Sequence, residues 1–172
     1  MKKLVSYIAL ILIVTSFSSC KSLNYMKEEN LSKVRNIPFL EKDYPNTNIE
    51  FYTIQNVRGS NMNINRNRAL MAAKTVLANQ IQFGIMSIAE QELSFEDSNQ
   101  REAFNQKSIA ISNLSIAKVT LIDSQILKEK EGENYDYWVV YKILLDDVVK
   151  VINESDLGIT TDPTQLLNAI KT

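Results

Sequence analysis

A chain of 172 residues suits one domain of ordinary size. Its 45% hydrophobic and 23% charged content is a globular balance, and a net charge of −1 without a concentrated basic face gives no basis for nucleic-acid binding. There is no histidine and the single cysteine is Cys20, which excludes Ser-His-Asp and Cys-His catalysis, an internal disulfide and a cysteine-based zinc site. The four glycines (Gly59, Gly84, Gly132, Gly158) lie far apart, so no glycine-rich phosphate loop is present.

Lys2 and Lys3 precede an apolar run from Leu4 to Val14, followed by Thr15-Ser16-Phe17-Ser18-Ser19-Cys20. A positive start, a short apolar stretch and small residues before a cut are the parts of an export signal. The run is shorter than the ~20 apolar residues a spanning helix needs. Phe17-Ser18-Ser19-Cys20 resembles the lipobox of bacterial lipoproteins, with Phe17 where leucine is usual. That resemblance implies cleavage after Ser19 and lipid on the Cys20 sulfur. Acylation contributes roughly 0.8 kcal/mol per buried CH₂, so two or three chains give a lasting anchor. Lys21 and Ser22 are not the acidic residue that resembles an inner-membrane retention signal, so the expected address is the outer membrane with the body in the periplasm or at the cell surface. Loss of Lys2 and Lys3 leaves 17 basic against 20 acidic groups in the mature chain, a net charge near −3.

The expected organisation is a signal over residues 1–19, a tether over residues 20–47 and one domain over residues 48–172. The tether carries Pro38 and Pro45 and no sustained period, although Leu31, Val34, Ile37, Phe39 and Leu40 could dock on the body. Ile49 to Val57 alternates as a strand, and Arg58-Gly59-Ser60-Asn61 supplies a turn. Asn63 to Leu93 is the clearest helix: Leu70, Ala73, Leu77, Ile81, Gly84 or Ile85, and Ile88 make one stripe. Alanines 69, 72, 73 and 78 favour helix and close packing, and Gly84 marks a bend or a close contact.

Gln100 to Ile116 carries Phe104, Ile109, Ile111, Leu114 and Ile116, a pattern that fits helix and partly fits strand. Val119 to Leu127 and Tyr135 to Leu145 are the arms of a hairpin around the polar tip Glu129 to Asn134. On the return arm Tyr135, Tyr137, Val139, Tyr141, Ile143 and Leu145 share one face, which must pack on the helices. Trp138, Val140 and Leu144 share the other, which calls for another layer or a partner. Asp146 to Asn153 leaves the sheet. Asp162 caps a short terminal helix with Pro163 at its first position. The fold class is α+β: a small antiparallel sheet packed on a long Ala-rich helix, with a second helix and a short C-terminal one.

Arg68 to Gln82 (RALMAAKTVLANQIQ), Ala117 to Leu127 (AKVTLIDSQIL) and Tyr135 to Asp146 (YDYWVVYKILLD) together resemble the LPP-twenty family of small bacterial envelope lipoproteins, and its relatives among periplasmic flagellar proteins. The likeness spans about residues 49–150 and lies in core positions. It implies a small sheet wrapped over a long helix, somewhat as in dodecin, and an address in the envelope; it carries no catalytic residue.

Candidate sites follow from residue type. Cys20 is the lipidation site. Trp138, Val140 and Leu144 are candidates for partner binding, since large apolar and aromatic groups anchor interfaces. Tyr135, Tyr137 and Tyr141 are candidates for facing a ligand, against the plainer reading of sheet core. Asp146 and Asp147, with Glu90, Glu92, Glu96 and Asp97, offer carboxylates without any EF-hand spacing, and charged helix ends explain them as well. Arg66 and Arg68 could meet an anion at a helix start or pair with acidic neighbours. The expected function is non-enzymatic: an envelope lipoprotein that binds or supports an assembly, needing no cofactor or metal. Its partners would be the membrane through Cys20 and an envelope protein or a second copy. The rivals are a small-ligand carrier with a pocket between sheet and helix, and a carboxylate-based hydrolase.

Overall fold

The computed structural model describes residues 37–128 and 133–171. The expected export signal, Cys20, the expected tether up to Asn36 and most of the hairpin tip lie outside these residues. The fold is α+β: among the described residues, a three-stranded antiparallel sheet with four α-helices. In chain order they are β1 (Glu50–Gly59), α1 (Met62–Glu92), α2 (Ser98–Ser115), β2 (Thr120–Lys128), β3 (Tyr135–Leu144), α3 (Leu145–Asn153) and α4 (Pro163–Lys171).

The sheet order is β1-β3-β2, so the last strand in sequence is the central one. Tyr-Asp-Tyr-Trp-Val-Val-Tyr-Lys-Ile-Leu is apolar on both faces, as a strand flanked and covered on two sides should be. Glu50 pairs with Leu144 and Gly59 with Tyr135, so β1 runs through Arg58 and Gly59, two residues beyond the expected strand end at Val57 and into the expected turn. Asn65 of α1, itself buried, donates from Nδ2 to the Gly59 carbonyl at 2.9 Å and ties that strand end to the helix. A Cβ on Gly59 would lie 2.6 Å from Asn65 Oδ1, so glycine is required there by the close approach.

The inner face of the sheet rests on the first half of α1. Ala69 and Ala73 are fully buried against Tyr137, Val139 and Tyr141, small residues making room for rings. Further along the helix, Leu77, Ile81, Ile85 and Ile88 form the larger core with Leu145, Val148 and Ile152 of α3 and Leu166 of α4. Gly84 is a close-contact point: a Cβ there would meet Ile170 Cγ1 at 2.9 Å and Leu166 Cδ1 at 3.0 Å. Asn61 caps α1 through Ile64 N–H at 3.1 Å, and Asp162 caps α4 through the N–H groups of Thr164 and Gln165, both at 2.8 Å.

Three expectations are refined by the structure. The segment 98–115 is helical, but its buried stripe is Phe104, Ser108, Ser112 and Ser115, with Ile109 and Ile111 half-buried and Leu114 exposed. The serine hydroxyls of 108, 112 and 115 donate to backbone carbonyls three or four residues earlier, so they bury at no cost in unmade bonds. Second, the chain does not merely leave the sheet at Asp146. Leu145, Val148, Val149 and Ile152 fall at helical spacing and bury one face of α3, which grows directly out of β3. Third, the compact body begins at Pro38, ahead of the expected boundary at residue 48.

Candidate functional site

The two edge strands of the sheet are finished in opposite ways, and that contrast defines the candidate site. Along β1, residues 38–47 lie against the strand. Asn46 Oδ1 accepts from Tyr52 N–H at 2.6 Å, Thr47 Oγ1 accepts from the N–H groups of Ile49 and Glu50, and Thr47 N–H donates to the Glu50 carbonyl at 2.9 Å. These contacts use outward-pointing backbone groups that would otherwise template another strand.

The same segment reaches across the outer face. Phe39 packs edge-on against Tyr44, with ring centres 6.0 Å apart, and Tyr44 meets Tyr52 at 5.7 Å. Tyr44 then donates its hydroxyl to Asp123 Oδ2 on β2 at 3.3 Å. A chain of rings that starts beside β1 and ends on β2 must cross β3. Val140, in register between Ile54 and Asp123, is fully buried on this face.

A small polar network sits beside the crossing. Lys142 donates to Glu50 and forms an ion pair with it, and Tyr52 donates its hydroxyl to the other Glu50 oxygen at 2.5 Å. These two bonds hold the Glu50 carboxyl below its ordinary range. Tyr52 is held above its ordinary value, first by its bond to that carboxylate and then by burial. Tyr44 is also raised, by burial and by Asp123.

β2 is finished differently. Among the described residues no strand lies on its far side. Eight of its nine residues are exposed, including Leu121 at 45%, Ile122 at 42% and Ile126 at 47%. Leu121 and Ile126 share the inner face with Tyr141 and Tyr137, their partners in register, but α1 lies under β1 and β3 and leaves them bare. Ile122 sits at a bulge and has no residue opposite it on β3. A nine-residue strand carrying three exposed aliphatic side chains is a template for pairing with another chain.

The expected patch of Trp138, Val140 and Leu144 does share the outer face, but it is divided. Val140 is fully buried on the face that the Tyr44–Asp123 bond crosses, Trp138 is half-buried between Asn56 and Gln125, and Leu144 is exposed beside Glu50. The second layer called for by the sequence comes, for Val140, from the same molecule. Tyr137 and Tyr141 are buried on the alanines of α1, and burial pushes the Tyr141 phenol up with Tyr137 adding to it; Tyr135 is half-buried at the start of the strand. They are core, and the space they could have offered a ligand is filled by Ala69 and Ala73.

The carboxylates serve structure. Glu90 pairs with Arg101, Glu92 accepts from Gln165 at 2.9 Å, Glu96 accepts from Gln100, and Asp97 caps α2 through the N–H groups of Asn99 and Gln100. Asp147 pairs with Lys118, while Asp146 is exposed. Among the described residues no three His, Cys, Asp or Glu side chains are placed to hold a metal ion. Arg66 and Arg68 are exposed in the first turns of α1.

One cleft, of about 660 Å³, opens at the β1 edge between Tyr44 and Asn46, Thr53 and Gln55, Val76 and Gln80 of α1, and Lys171 of α4. Gln80 Oε1 is buried without a hydrogen-bond partner among the described residues. No signal in the sequence pointed to Tyr44, Asn46, Tyr52 or Gln80, because the contacts that assemble them join segments far apart in the chain. The three exposed residues of β2 were read as an ordinary strand arm, since alternation does not tell bare from covered. Comparison with protein-family models, with curated proteins and with solved structures finds no match.

Proposed function

We propose that the chain is a non-enzymatic bacterial envelope lipoprotein, held at the outer membrane through lipid on Cys20, that works by offering strand β2 to a protein partner. The membrane half of this reading rests on the Lys2-Lys3 start, the short apolar run and the Phe17-Ser18-Ser19-Cys20 segment. No helix of the described residues is long and apolar enough to cross a membrane. The resemblance to the LPP-twenty family points to the same address.

The observation that carries the binding half is the state of β2: both faces exposed, three aliphatic side chains bare, and no strand beyond it. An extended partner segment added there would gain a ladder of backbone bonds and cover Leu121, Ile122 and Ile126. Labelled palmitate should mark the native protein, and Cys20→Ala should move it out of the membrane fraction. A photocrosslinker placed at Ile126 should capture a protein in intact cells. A Cys20→Ala protein that still fractionates with membranes, together with no capture at Ile126, would remove the basis of this reading.

The cleft at the β1 edge favours a second reading, a carrier of a small polar ligand. Gln80 Oε1 is a buried acceptor there, and Lys171 and Gln55 supply donors. This lining is polar, unlike the Tyr- and Leu-lined pocket expected between sheet and helix. Gln80→Leu would abolish binding of such a ligand, detected as loss of a small molecule that co-purifies with the wild-type chain.

A further inference from the structure

We infer that the partner of β2 is β2 of a second copy, paired antiparallel about a twofold axis at Ser124 to give a continuous six-stranded sheet. The inference rests on the reading above that β2 is a docking strand, and names its occupant.

The strand Thr-Leu-Ile-Asp-Ser-Gln-Ile-Leu-Lys reads nearly the same in both directions. On the regular side of the bulge, antiparallel pairing about Ser124 sets Ile122 opposite Ile126 and Asp123 opposite Gln125, each of them twice. A twofold contact demands that one surface complement itself, and here aliphatic residues meet aliphatic residues. The charges also fit. Asp123 faces an amide, which can donate to it, and never its own counterpart. Like charges directly opposite on neighbouring strands are destabilising, and this register is free of them.

Geometry permits the contact. With the axis perpendicular to the sheet, the inner faces of both copies lie on one side, so Ile126 of each copy covers Ile122 of the other. These are two of the three aliphatic side chains left bare on β2. Ile122, lacking a residue opposite it on β3, lies within this register. The hairpin and α1 need not move, because the new strand adds at a vacant side. At the start of β1 the outer backbone groups of Glu50 and Tyr52 are already bonded to Thr47 and Asn46, which leaves β2 the less obstructed edge.

The test uses the full-length lipidated chain in detergent and in membranes. In Ser124→Cys the new thiols meet on the axis and should form a disulfide-linked dimer on mild oxidation. Neither the wild-type chain nor Asn113→Cys, exposed on α2, should do so. Gln125→Asp would set two carboxylate pairs against each other and should weaken dimerisation roughly tenfold by sedimentation. The double exchange Asp123→Gln with Gln125→Asp recreates the carboxylate–amide pairs and should restore it. A Ser124→Cys chain that links no better than Asn113→Cys overturns the inference, as does a Gln125→Asp chain that dimerises like the wild type. So does capture at Ser124 of a protein of different mass, which would leave the docking reading standing. Conversely, a Ser124 dimer found on a Cys20→Ala chain still bound to membranes would uphold the inference while removing the lipid anchor.

Discussion

β1 and β2 flank the same central strand, yet among the described residues the start of β1 is bonded by its own chain and β2 is bare. On β1, a side-chain amide and a hydroxyl take up backbone donors, and a run of rings reaches from it to Asp123 on the face where Val140 is buried. On β2, Leu121, Ile122 and Ile126 face water. The same chemistry, an unfinished row of backbone donors and acceptors, is thus answered inside the molecule at one edge and left for another molecule at the other. The difference teaches where a binding surface lies without any cofactor, metal or catalytic group to mark it.

Removing the cover from the closed edge should have the largest effect. Phe39→Ala should cost about 3 kcal/mol, a lower midpoint in urea with an unchanged slope, because it deletes a buried ring and loosens Tyr44 over Val140. Asn46→Ala should cost about 1 kcal/mol in the same assay by leaving the Tyr52 N–H without its partner. On the open edge, Ile126→Lys should change the stability of the isolated chain by no more than about 0.5 kcal/mol, as an exposed position does, while abolishing association. A loss of several kcal/mol there would mean that β2 is covered within a single chain.

The polar network on the outer face sharpens the contrast through pH. Glu50 titrates lower in the folded chain than in the unfolded one, so its stabilising effect is present above the ordinary carboxylate range and is lost as pH falls through the folded value. Tyr52 titrates higher when folded, so its effect is present below the ordinary phenol value near 10 and is lost as pH rises past it. Urea midpoints measured across pH should therefore decline at both ends, and Glu50→Gln should flatten the acid side. An unchanged acid limb in Glu50→Gln would show that the network contributes nothing to the closed edge.

How much of this was legible depended on whether periodicity carried it. α1 could be read because Leu77, Ile81, Ile85 and Ile88 repeat at helical spacing and are all buried. The inward face of β3 was legible for the same reason, by alternation. α2 was ambiguous because its packed stripe is serine, which reads as polar although each hydroxyl is satisfied by the helix itself. α3 was missed because strand alternation runs into it without a break at Leu145. Its signal was present in Leu145, Val148, Val149 and Ile152, with Asp146 and Asp147 suited to the first turn.

The cover over Val140 was not legible at all. Phe39 and Tyr44 sit in a stretch without period, and the bond from Tyr44 to Asp123 spans 79 positions. Local pattern cannot supply a contact of that length. The division of the patch formed by Trp138, Val140 and Leu144 follows directly, since the sequence marks the outer face as apolar but not which part the chain covers.

Amide hydrogen exchange of the full-length chain tests the contrast most directly, comparing β1 and β2 in membranes and after dilution in detergent. β1 should be slow in both, while the outward amides of residues 121–127 should be slow in membranes and exchange fast on dilution. Equal protection of β2 in both conditions, or β1 exchanging as fast as β2, would contradict the account.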